Sequence, residues 1–303
     1  MRVLVTGVSR HNLGEYLTRY FLERHDVGYT FHSQTIDITG AEGFHVDFIS
    51  GDGVQECIET FNPDVVVNCA AIARPKTCED NPDMAYSINV PKHLVKSIGR
   101  ALIVQISTDL VYEGHSDALY TETSPANPLN VYGKSKLMAE DFLKCKEHVC
   151  LRSSMIYGRA NAGDKTNFFT QFVDEMLGAS KPTDFFTDEY RCPILNVDIA
   201  RIIDSIIAQV TAVSLDNADR VAAAGLENIY NMGGPESLSR FEMATMLAKE
   251  RGYDPELIVT ASASSFDRGV PSPLNTSMDS CRVFQVTGVN PTTFSDGLKN
   301  IFS

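Results

Sequence analysis

None of the seven cysteines stands in C-x-x-C spacing, and their number is odd. Cys57, Cys69, Cys78, Cys145, Cys150, Cys192 and Cys281 are scattered. That pattern excludes a disulfide framework and a thiolate zinc site, and it points to reduced thiols in a reducing, cytoplasmic compartment. No apolar run approaches the length of a membrane span, so no membrane partner is expected. The N-terminus lacks the basic, apolar and small-residue regions of a secretory signal. Met1 leads almost directly into a strand, so the fold is expected to begin at once. Positive charge is scarce: 26 Lys and Arg stand against 39 Asp and Glu, a formal net charge of −13. Such a chain repels a phosphate backbone, which excludes nucleic acid as a partner. An anionic small molecule would need a local pocket of basic groups or helix N-termini. His11, His32, His45, His93, His115 and His148 show no ligand spacing and read as ordinary, so no metal site is expected. Repeats and low-complexity segments are also missing. What is present is an ordinary globular composition, 43% hydrophobic and 21% charged, in 303 residues that can bury a large core.

The first half alternates strand and helix. RVLVTG, VGYTFH, PDVVVNCAA, ALIVQIS and VCLRSS read as strands, the third and fourth almost continuously apolar, as buried parallel strands are. Helices are expected over LGEYLTRYFLERH, residues 52–61, a long 81–99 opened by Pro82, and 131–147. The alternation predicts an α/β fold, a Rossmann-like doubly wound parallel sheet, with a smaller mixed α/β lobe for substrate. Residues 1–157 would form the dinucleotide-binding part. Residues 158–303 would be mainly the substrate lobe, with about 192–232 returning to the sheet. Helices are expected near 166–178, 197–210 and 239–251, and 211–226 reads as a helical insertion or an exposed loop.

"TGVSRHNLG", residues 6–14, lies where the first strand turns into the first helix. A phosphate cradle needs a tight turn that lets the backbone approach a pyrophosphate, then a helix N-terminus aimed at it. Gly7 supplies the turn and Gly14 the close helix–strand contact, but the middle glycine is missing. Asn12 stands where it is expected, and asparagine tolerates left-handed backbone better than other non-glycine residues. On these residues alone, a plain strand-to-helix turn without ligand stays open. The end of the second strand reads Phe31-His32-Ser33, where a fold specific for NAD usually carries a carboxylate; Asp37 is several residues further on. Ser9 and Arg10 offer a hydroxyl and a guanidinium for a 2′-phosphate. NADP(H) is therefore preferred, with NAD(H) open.

"NVYGKSKLMAE" places Tyr132 and Lys136 four residues apart on one helix face. The strand before that helix ends in Ser107-Thr108-Asp109. Ketone reduction needs a proton donor beside the carbonyl. Tyr132 can serve if the nearby Lys136 ammonium lowers its pKa, Lys136 can also bond a nicotinamide ribose, and the Thr108 hydroxyl can hold the substrate oxygen.

With these residues in place, the chain resembles the extended short-chain dehydrogenases/reductases, and within them the dTDP-4-dehydrorhamnose reductase branch, which includes the regulatory β subunit of methionine adenosyltransferase. VLVTG, Asp47-Phe48, VVVNCAA, Asn89 in "SINV", STDLVYEG, PANPLNVYGKSKLMAE, LRSSMIYG, CPILNVDIARII, IYNMGG and SPLNTSMD follow in family order over nearly the whole chain. The resemblance implies Thr108, Tyr132 and Lys136 as the catalytic trio. It implies Gly7, Ser9, Arg10, Asn12, Leu13, Asp47, Phe48, Ala70, Ala71 and Asn89 as cofactor neighbours, joined by Tyr132 and Lys136. The loop then reads as a phosphate cradle in which Asn12 does the work of glycine. The implied activity is reduction of a nucleotide-linked 4-keto sugar by NADPH. The alternatives are an NADP-binding regulatory subunit of a methionine adenosyltransferase and a nucleotide-sugar epimerase. A homodimer or a methionine adenosyltransferase is the implied partner.

Three departures from that family stand out. Met155 replaces a tryptophan that packs on the substrate, and this chain has no tryptophan at all. Ser272 occupies the place of an arginine before the proline, with Arg268 a few residues upstream. The third is the glycine loop. Leu110 follows Thr108-Asp109 where the related 4,6-dehydratases carry a glutamate, which argues against dehydration; Asp109 is expected mainly to hydrogen-bond a loop. Arg191 is a candidate for an anionic part of the substrate, or for an ion pair with Asp188 or Glu189. Arg74 and Lys76, beyond the third strand, read equally as pocket or as solvated face.

Overall fold

The computed structural model describes residues 1–33, 36–115, 118–159, 168–214 and 219–302. β1 (Arg2–Thr6) feeds α1 (Leu13–Phe21), and the chain returns through β2 (Asp26–Phe31) and β3 (Glu42–His45). Next come α2 (Val54–Phe61), β4 (Val65–Asn68), and three short helices: α3 (Pro75–Asp80), α4 (Pro82–Asn89) and α5 (Lys92–Ser97). β5 (Leu102–Thr108), α6 (Val131–Leu143) and β6 (His148–Ser153) complete the first half. The expected helix over 81–99 is in fact two. Pro91 has no N–H to donate and pushes Val90 into an extended conformation (φ −94°, ψ 114°), which ends α4 and restarts the chain as α5.

The second half holds β7 (Ile156–Tyr157), α7 (Phe168–Gly178), β8 (Thr183–Phe186), β9 (Tyr190–Arg191) and β10 (Ile194–Leu195). It continues with α8 (Asn196–Thr211), α9 (Arg220–Ala223), β11 (Ile229–Met232), β12 (Leu238–Ser239), α10 (Arg240–Arg251), β13 (Ile258–Ala261), α11 (Cys281–Thr287) and α12 (Phe294–Phe302). Positions 166–167 of the expected helix and 215–218 of the 211–226 segment lie outside the described residues. Within that segment, α9 carries Arg220, whose guanidinium pairs with Glu147.

Seven strands form one parallel sheet in the order β3-β2-β1-β4-β5-β6-β11. Side chains alternate between its faces with the two-residue period of a strand. Val3, Val5, Val65, Val67, Leu102 and Val104 face one core, with Leu17 and Phe21 of α1 and Ile199, Ile203 and Ile206 of α8. Leu4, Val66 and Ile103 face the other, with Cys57 and Phe61 of α2, Leu94 of α5 and Leu143 of α6. The strand order reverses direction between β1 and β4, and ligands of open α/β sheets bind in the crevice outside the carboxyl ends at such a point. Thr6, Asn68 and Gln105 run a buried polar ladder across those ends: the Thr6 hydroxyl donates to Asn68 Oδ1 at 2.5 Å and Asn68 Nδ2 to Gln105 Oε1 at 2.7 Å.

A third core lies apart from the sheet, built from Val173 and Leu177 of α7, Met243 and Leu247 of α10, and Phe294, Leu298 and Ile301 of α12. The tail "NPTTFSDGLKNIFS" therefore closes on its own lobe as α12. α10 starts with a reciprocal cap: Ser239 Oγ accepts from the Glu242 N–H at 3.1 Å, and Glu242 Oε2 accepts from the Ser239 N–H at 2.7 Å. No helix among the described residues is long and apolar enough to cross a membrane.

Candidate active site

The loop after β1 is built differently from the sequence expectation. Asn12 is extended (φ −102°, ψ 173°), and the left-handed residue is His11, at φ 64°. Asn12 instead caps α1. Its Oδ1 accepts from the Glu15 N–H at 2.9 Å and the Ser9 N–H at 3.3 Å, and its Nδ2 donates to the Gly7 carbonyl at 2.9 Å. The side chain thus folds the loop around itself, and His11, read from sequence as ordinary, takes the backbone place of a glycine. Gly7 is needed where it stands: at φ 70° a Cβ there would overlap the backbone of Ala70 beyond β4. Glu15 is buried beside the loop, accepts from the His11 N–H at 2.7 Å and pairs with Arg19 at 2.9 Å.

Two cavities open from this loop. One, about 240 Å³, is lined by Gly7, Ser9, Asn12, His32, Ser33, Asp47, Phe48, Ala70 and Ala71 among others. Asp47 is held as a turn cap by the Ile49 N–H (2.7 Å) and the Ser50 hydroxyl (3.1 Å), and the Ile49 bond holds its carboxyl below the usual range. The other, about 320 Å³, is lined by Asn12, Leu13, Gly14, Ala71, Thr108, Tyr132, Lys136, Ser153 and Ser154 among others. Arg10 is exposed and lines neither cavity.

The trio comes together because α6 starts against the end of β5. Asn130 caps α6, its Oδ1 accepting from the Gly133 N–H at 2.9 Å and its Nδ2 donating to the Pro271 carbonyl at 2.9 Å. Any side chain at Gly133 would overlap the Leu110 carbonyl, so the first turn of α6 rests on the chain just after Thr108. Thr108 Oγ1 accepts from the Leu110 N–H at 3.2 Å and donates to Asp109 Oδ1 at 3.2 Å. Burial pushes the half-buried Tyr132 phenol up, with the neighbouring Thr108 hydroxyl pulling the other way. Lys136 is 2% exposed, and burial pushes its ammonium down to about 8. The expected lowering of Tyr132 by Lys136 does not appear: burial dominates the shift of each group, and Lys136 is not among the groups that act on the phenol.

Among the remaining candidates, Arg191 takes its ion-pair alternative with Glu189 and Asp109 its expected hydrogen-bonding role. Asn89 lines none of these cavities. It is fully buried, accepts from the Ile72 N–H at 2.8 Å and donates to Ser135 Oγ at 2.8 Å, so it fastens the segment after β4 to α6 from behind. Arg191 is 5% exposed and spends its guanidinium on the carbonyls of Tyr190 (2.7 Å), Pro273 (2.9 Å) and Leu274 (3.0 Å). It also pairs with Glu189 at 3.3 Å and Asp109 at 3.6 Å, so it braces the fold and does not face a ligand. Asp109 is buried and accepts from Thr276 Oγ1 at 2.8 Å and Ser154 Oγ at 3.2 Å, a structural knot at the end of β5. Lys76 pairs with Asp80 on the surface of α3, and neither it nor Arg74 lines the cavities described.

A third cavity, about 440 Å³, lies on the side of the smaller lobe and is lined by Met155, Ile156, Phe169, Phe172, Asp184, Phe185, Phe186, Glu189, Arg240 and Arg268. Ile156 also lines the Tyr132 cavity, so the two adjoin.

The RmlD substrate binding domain family matches residues 1–303. The chain belongs to that family. It is 27% identical over 308 residues to a probable low-salt glycan biosynthesis reductase of Haloferax volcanii, covering 98% of this chain and 96% of the relative. It is equally 27% identical to the mouse methionine adenosyltransferase 2 subunit beta, over 98% of this chain and 86% of the relative. Among solved structures, the dTDP-4-dehydrorhamnose reductase of Bacillus anthracis, determined in complex with NADP, superposes with a TM-score of 0.81 at 21% identity, over 99% of this chain and 98% of that one.

In this RmlD-family chain, sequence reasoning passed over the residues that hold the site together. Glu140 on α6 and Arg152 on β6 form a buried ion pair at 2.7 Å, the Ser107 hydroxyl donates to Glu140 at 2.5 Å, and Arg152 reaches the Tyr112 hydroxyl at 3.0 Å. A charged residue on the buried face of α6, one turn after Lys136, was the available signal. The chemistry of Lys136 carries a stability cost. Its folded pKa, about 8, lies below the ordinary 10.5, so the folded state binds fewer protons than the unfolded one between those values. Stability therefore rises with pH through that window, and the penalty is full below about 8. Lys136→Met is expected to be more stable than the native protein at neutral pH, on the order of 2–4 kcal/mol. That advantage should fade as pH rises from 8 toward 10.5. Urea unfolding of both proteins across this range checks it; a difference independent of pH would refute the account.

Proposed function

We propose that this protein is an NADPH-dependent reductase of a nucleotide-linked 4-keto sugar, with Tyr132 as proton donor. The observation that carries the reading is that Thr108, Tyr132 and Lys136 line one cavity with Asn12, Leu13 and Gly14 of the loop. The chain's own residues fit a dinucleotide. Gly7, Ala70 and Ala71 keep the crevice between β1 and β4 free of side chains, and the α1 N-terminus supplies backbone N–H groups for a pyrophosphate. Asp47 and Phe48 stand at the adenosine end. No carboxylate lines that cavity at the end of β2, where His32 and Ser33 lie near Ser9, an arrangement that favours a 2′-phosphate and hence NADP(H) over NAD(H). Exposed Arg10, next to Ser9, is free to turn toward it.

When bound, the reduced nicotinamide supplies a hydride. Tyr132 stays protonated at neutral pH and gives its proton to the carbonyl oxygen, which the Thr108 hydroxyl holds, and Lys136 bonds the nicotinamide ribose. Leu110 brings no second acid and Asp109 is tied to Thr276, Ser154 and Arg191, which supports reduction over dehydration. Residues 1–157 are assigned to the dinucleotide and 158–303 mainly to substrate, with about 192–232 returning to the sheet. The free cysteines suit the cytoplasm, where NADPH is supplied.

NADPH oxidation with dTDP-4-keto-rhamnose and a panel of nucleotide 4-keto sugars tests the proposal. Saturable oxidation is the expected result, and NADPH binding without turnover of any sugar would sink it. Gly7→Ala is expected to cost at least about tenfold in NADPH affinity and about 1 kcal/mol or more in stability, since an L side chain fits neither the positive φ nor the approach to Ala70. Fluorescence titration and urea unfolding measure both.

The name and coverage of the mouse relative favour a second reading, an NADP-binding regulatory subunit of a methionine adenosyltransferase. Met155 and Ser272, which depart on the substrate side, agree with it. Co-purification of a methionine adenosyltransferase whose activity changes on binding, with no sugar turnover, would select this reading.

A further inference from the structure

A fourth cavity, about 460 Å³, lies at the amino-terminal edge of the sheet, opposite the crevice at the carboxyl ends of the strands. The turns that enter β5, β6 and β11 form it, joined by Asp219 just before α9. Arg100, Lys144 and Lys146 bring three positive side chains to this one concavity, in a chain whose net charge is −13. Two carboxylates also line it, and both are committed elsewhere. Glu147 accepts from the Arg220 N–H at 3.0 Å and from Arg220 Nε at 2.9 Å, so a buried guanidinium neutralises it. Asp219 caps α9, its Oδ1 accepting from the Ala222 N–H at 3.0 Å. Lys144 pairs with Asp141 at 2.6 Å on the outer side, which leaves Arg100 and Lys146 as the principal charges of the cavity.

The frame that carries these charges is cross-linked. Arg220 Nη2 donates to the Arg100 carbonyl at 2.9 Å, tying the turn before β5 to Glu147. Asn228 Nδ2 donates to the His148 carbonyl at 2.8 Å, and His148 Nδ1 donates to that of Lys146 at 2.8 Å. The carboxyl end of α6 would repel an anion. Its carbonyls are partly occupied: that of Asp141 accepts from the Lys144 N–H at 3.3 Å and that of Leu143 from the Lys146 N–H at 2.9 Å. Among the described residues no Phe or Tyr lines the cavity, so it offers no shelf for a nucleobase. A guanidinium fork and an ammonium on separate turns, in a space far larger than one phosphate, suit an anion that presents phosphoryl oxygens to both. We propose that this cavity binds a small phosphate polyanion, held by Arg100 and Lys146 with Lys144 at the rim, independently of the coenzyme. The site stands apart from the reductase reading, since none of its residues lines the coenzyme or Tyr132 cavities.

Calorimetric titration of inorganic triphosphate into protein saturated with NADPH tests the site, because the coenzyme fills the crevice where a phosphate could otherwise settle. Saturable binding of one triphosphate is expected, at least about tenfold tighter than inorganic phosphate and weakening as salt is raised. Citrate, which carries comparable charge on carboxylates, should bind at least about threefold more weakly than triphosphate. Arg100→Gln and Lys146→Gln should each weaken triphosphate binding by about fivefold or more, with Arg100→Lys in between. Urea unfolding and NADPH affinity of these variants should match the native protein, since both side chains point from an already cross-linked frame. No saturable binding by the NADPH-saturated protein would overturn the site, as would native-like binding by the double glutamine variant. Equal affinity for phosphate, citrate and triphosphate would reduce the cavity to a solvated basic face. A parallel loss of NADPH and triphosphate binding in the variants would move the anion to the coenzyme crevice and also overturn it.

Discussion

Tyr132→Phe should lower kcat for ketone reduction by about 10²–10⁴-fold while leaving NADPH affinity within about twofold. The substitution removes one hydroxyl and little else: the ring keeps its place in the first turn of α6, and the loop from Gly7 to Gly14 does not depend on it. Burial keeps the phenol protonated well above neutral pH, so it is in the donating form throughout the physiological range. Lys136 sets the alkaline limit. Its ammonium, pushed down to about 8, loses its proton as pH rises past that value, so native kcat should hold through neutrality and decline above it. Steady-state kinetics of both proteins, with a direct NADPH titration beside them, make the measurement. A variant that turns over within about threefold of native would place the proton donor elsewhere, since removal of a positioned acid costs far more than that.

Arg152→Leu should destabilise the fold by about 3–5 kcal/mol, because it leaves Glu140 charged, buried and without its partner. The pair is deeply enclosed, with side-chain exposures of 5% for Arg152 and 2% for Glu140. The hydroxyls around the pair bring no charge in exchange. The Ser107 hydroxyl offers one bond to Glu140, and the Tyr112 hydroxyl is engaged with Asn231 at 2.6 Å. Replacing both members, as Glu140→Leu with Arg152→Met, should recover most of the loss, since well-packed apolar residues are often as stable as a buried ion pair. Urea unfolding of the single and double variants separates the two effects. If the single variant costs less than about 1 kcal/mol, the pair is not the buried anchor described here. Because Glu140 lies on the same helix as Tyr132 and Lys136, and Ser107 immediately precedes Thr108, the single variant should also lower kcat more than it lowers NADPH affinity.

The sequence by itself determined the sheet and singled out three residues, Thr108, Tyr132 and Lys136, that line one cavity. Continuous apolar strands such as VVVN and LIVQIST separated by amphipathic helices leave few arrangements other than a doubly wound parallel sheet, because both faces of each strand must be covered. Tyr132 and Lys136 were legible for a similar reason, since helical periodicity alone puts residues four apart on one face. Local rules reached less far where two options were close in energy. Asparagine at position 12 satisfied both a left-handed turn and a helix cap, and the structure uses the cap, giving the left-handed place to His11. Pro91, inside the helix expected over 81–99, was itself a signal for the break between α4 and α5.

Only the tertiary structure decided what each charge does. Arg191 and Asn89 carried the right chemistry for ligand contact, but both are buried and spent on backbone or side-chain partners brought from distant parts of the chain. Arg240 had no motif to mark it and Arg268 only its nearness to Ser272; both line a cavity, paired with Glu189 from another segment. Lys136 was expected to lower Tyr132, but burial dominates the shift of each group and raises the phenol. Hydrophobic periodicity is a property of neighbouring residues and survives reading along the chain. Charge partnership and solvation depend on which groups meet across up to about eighty residues of chain, and those are settled only when the fold closes.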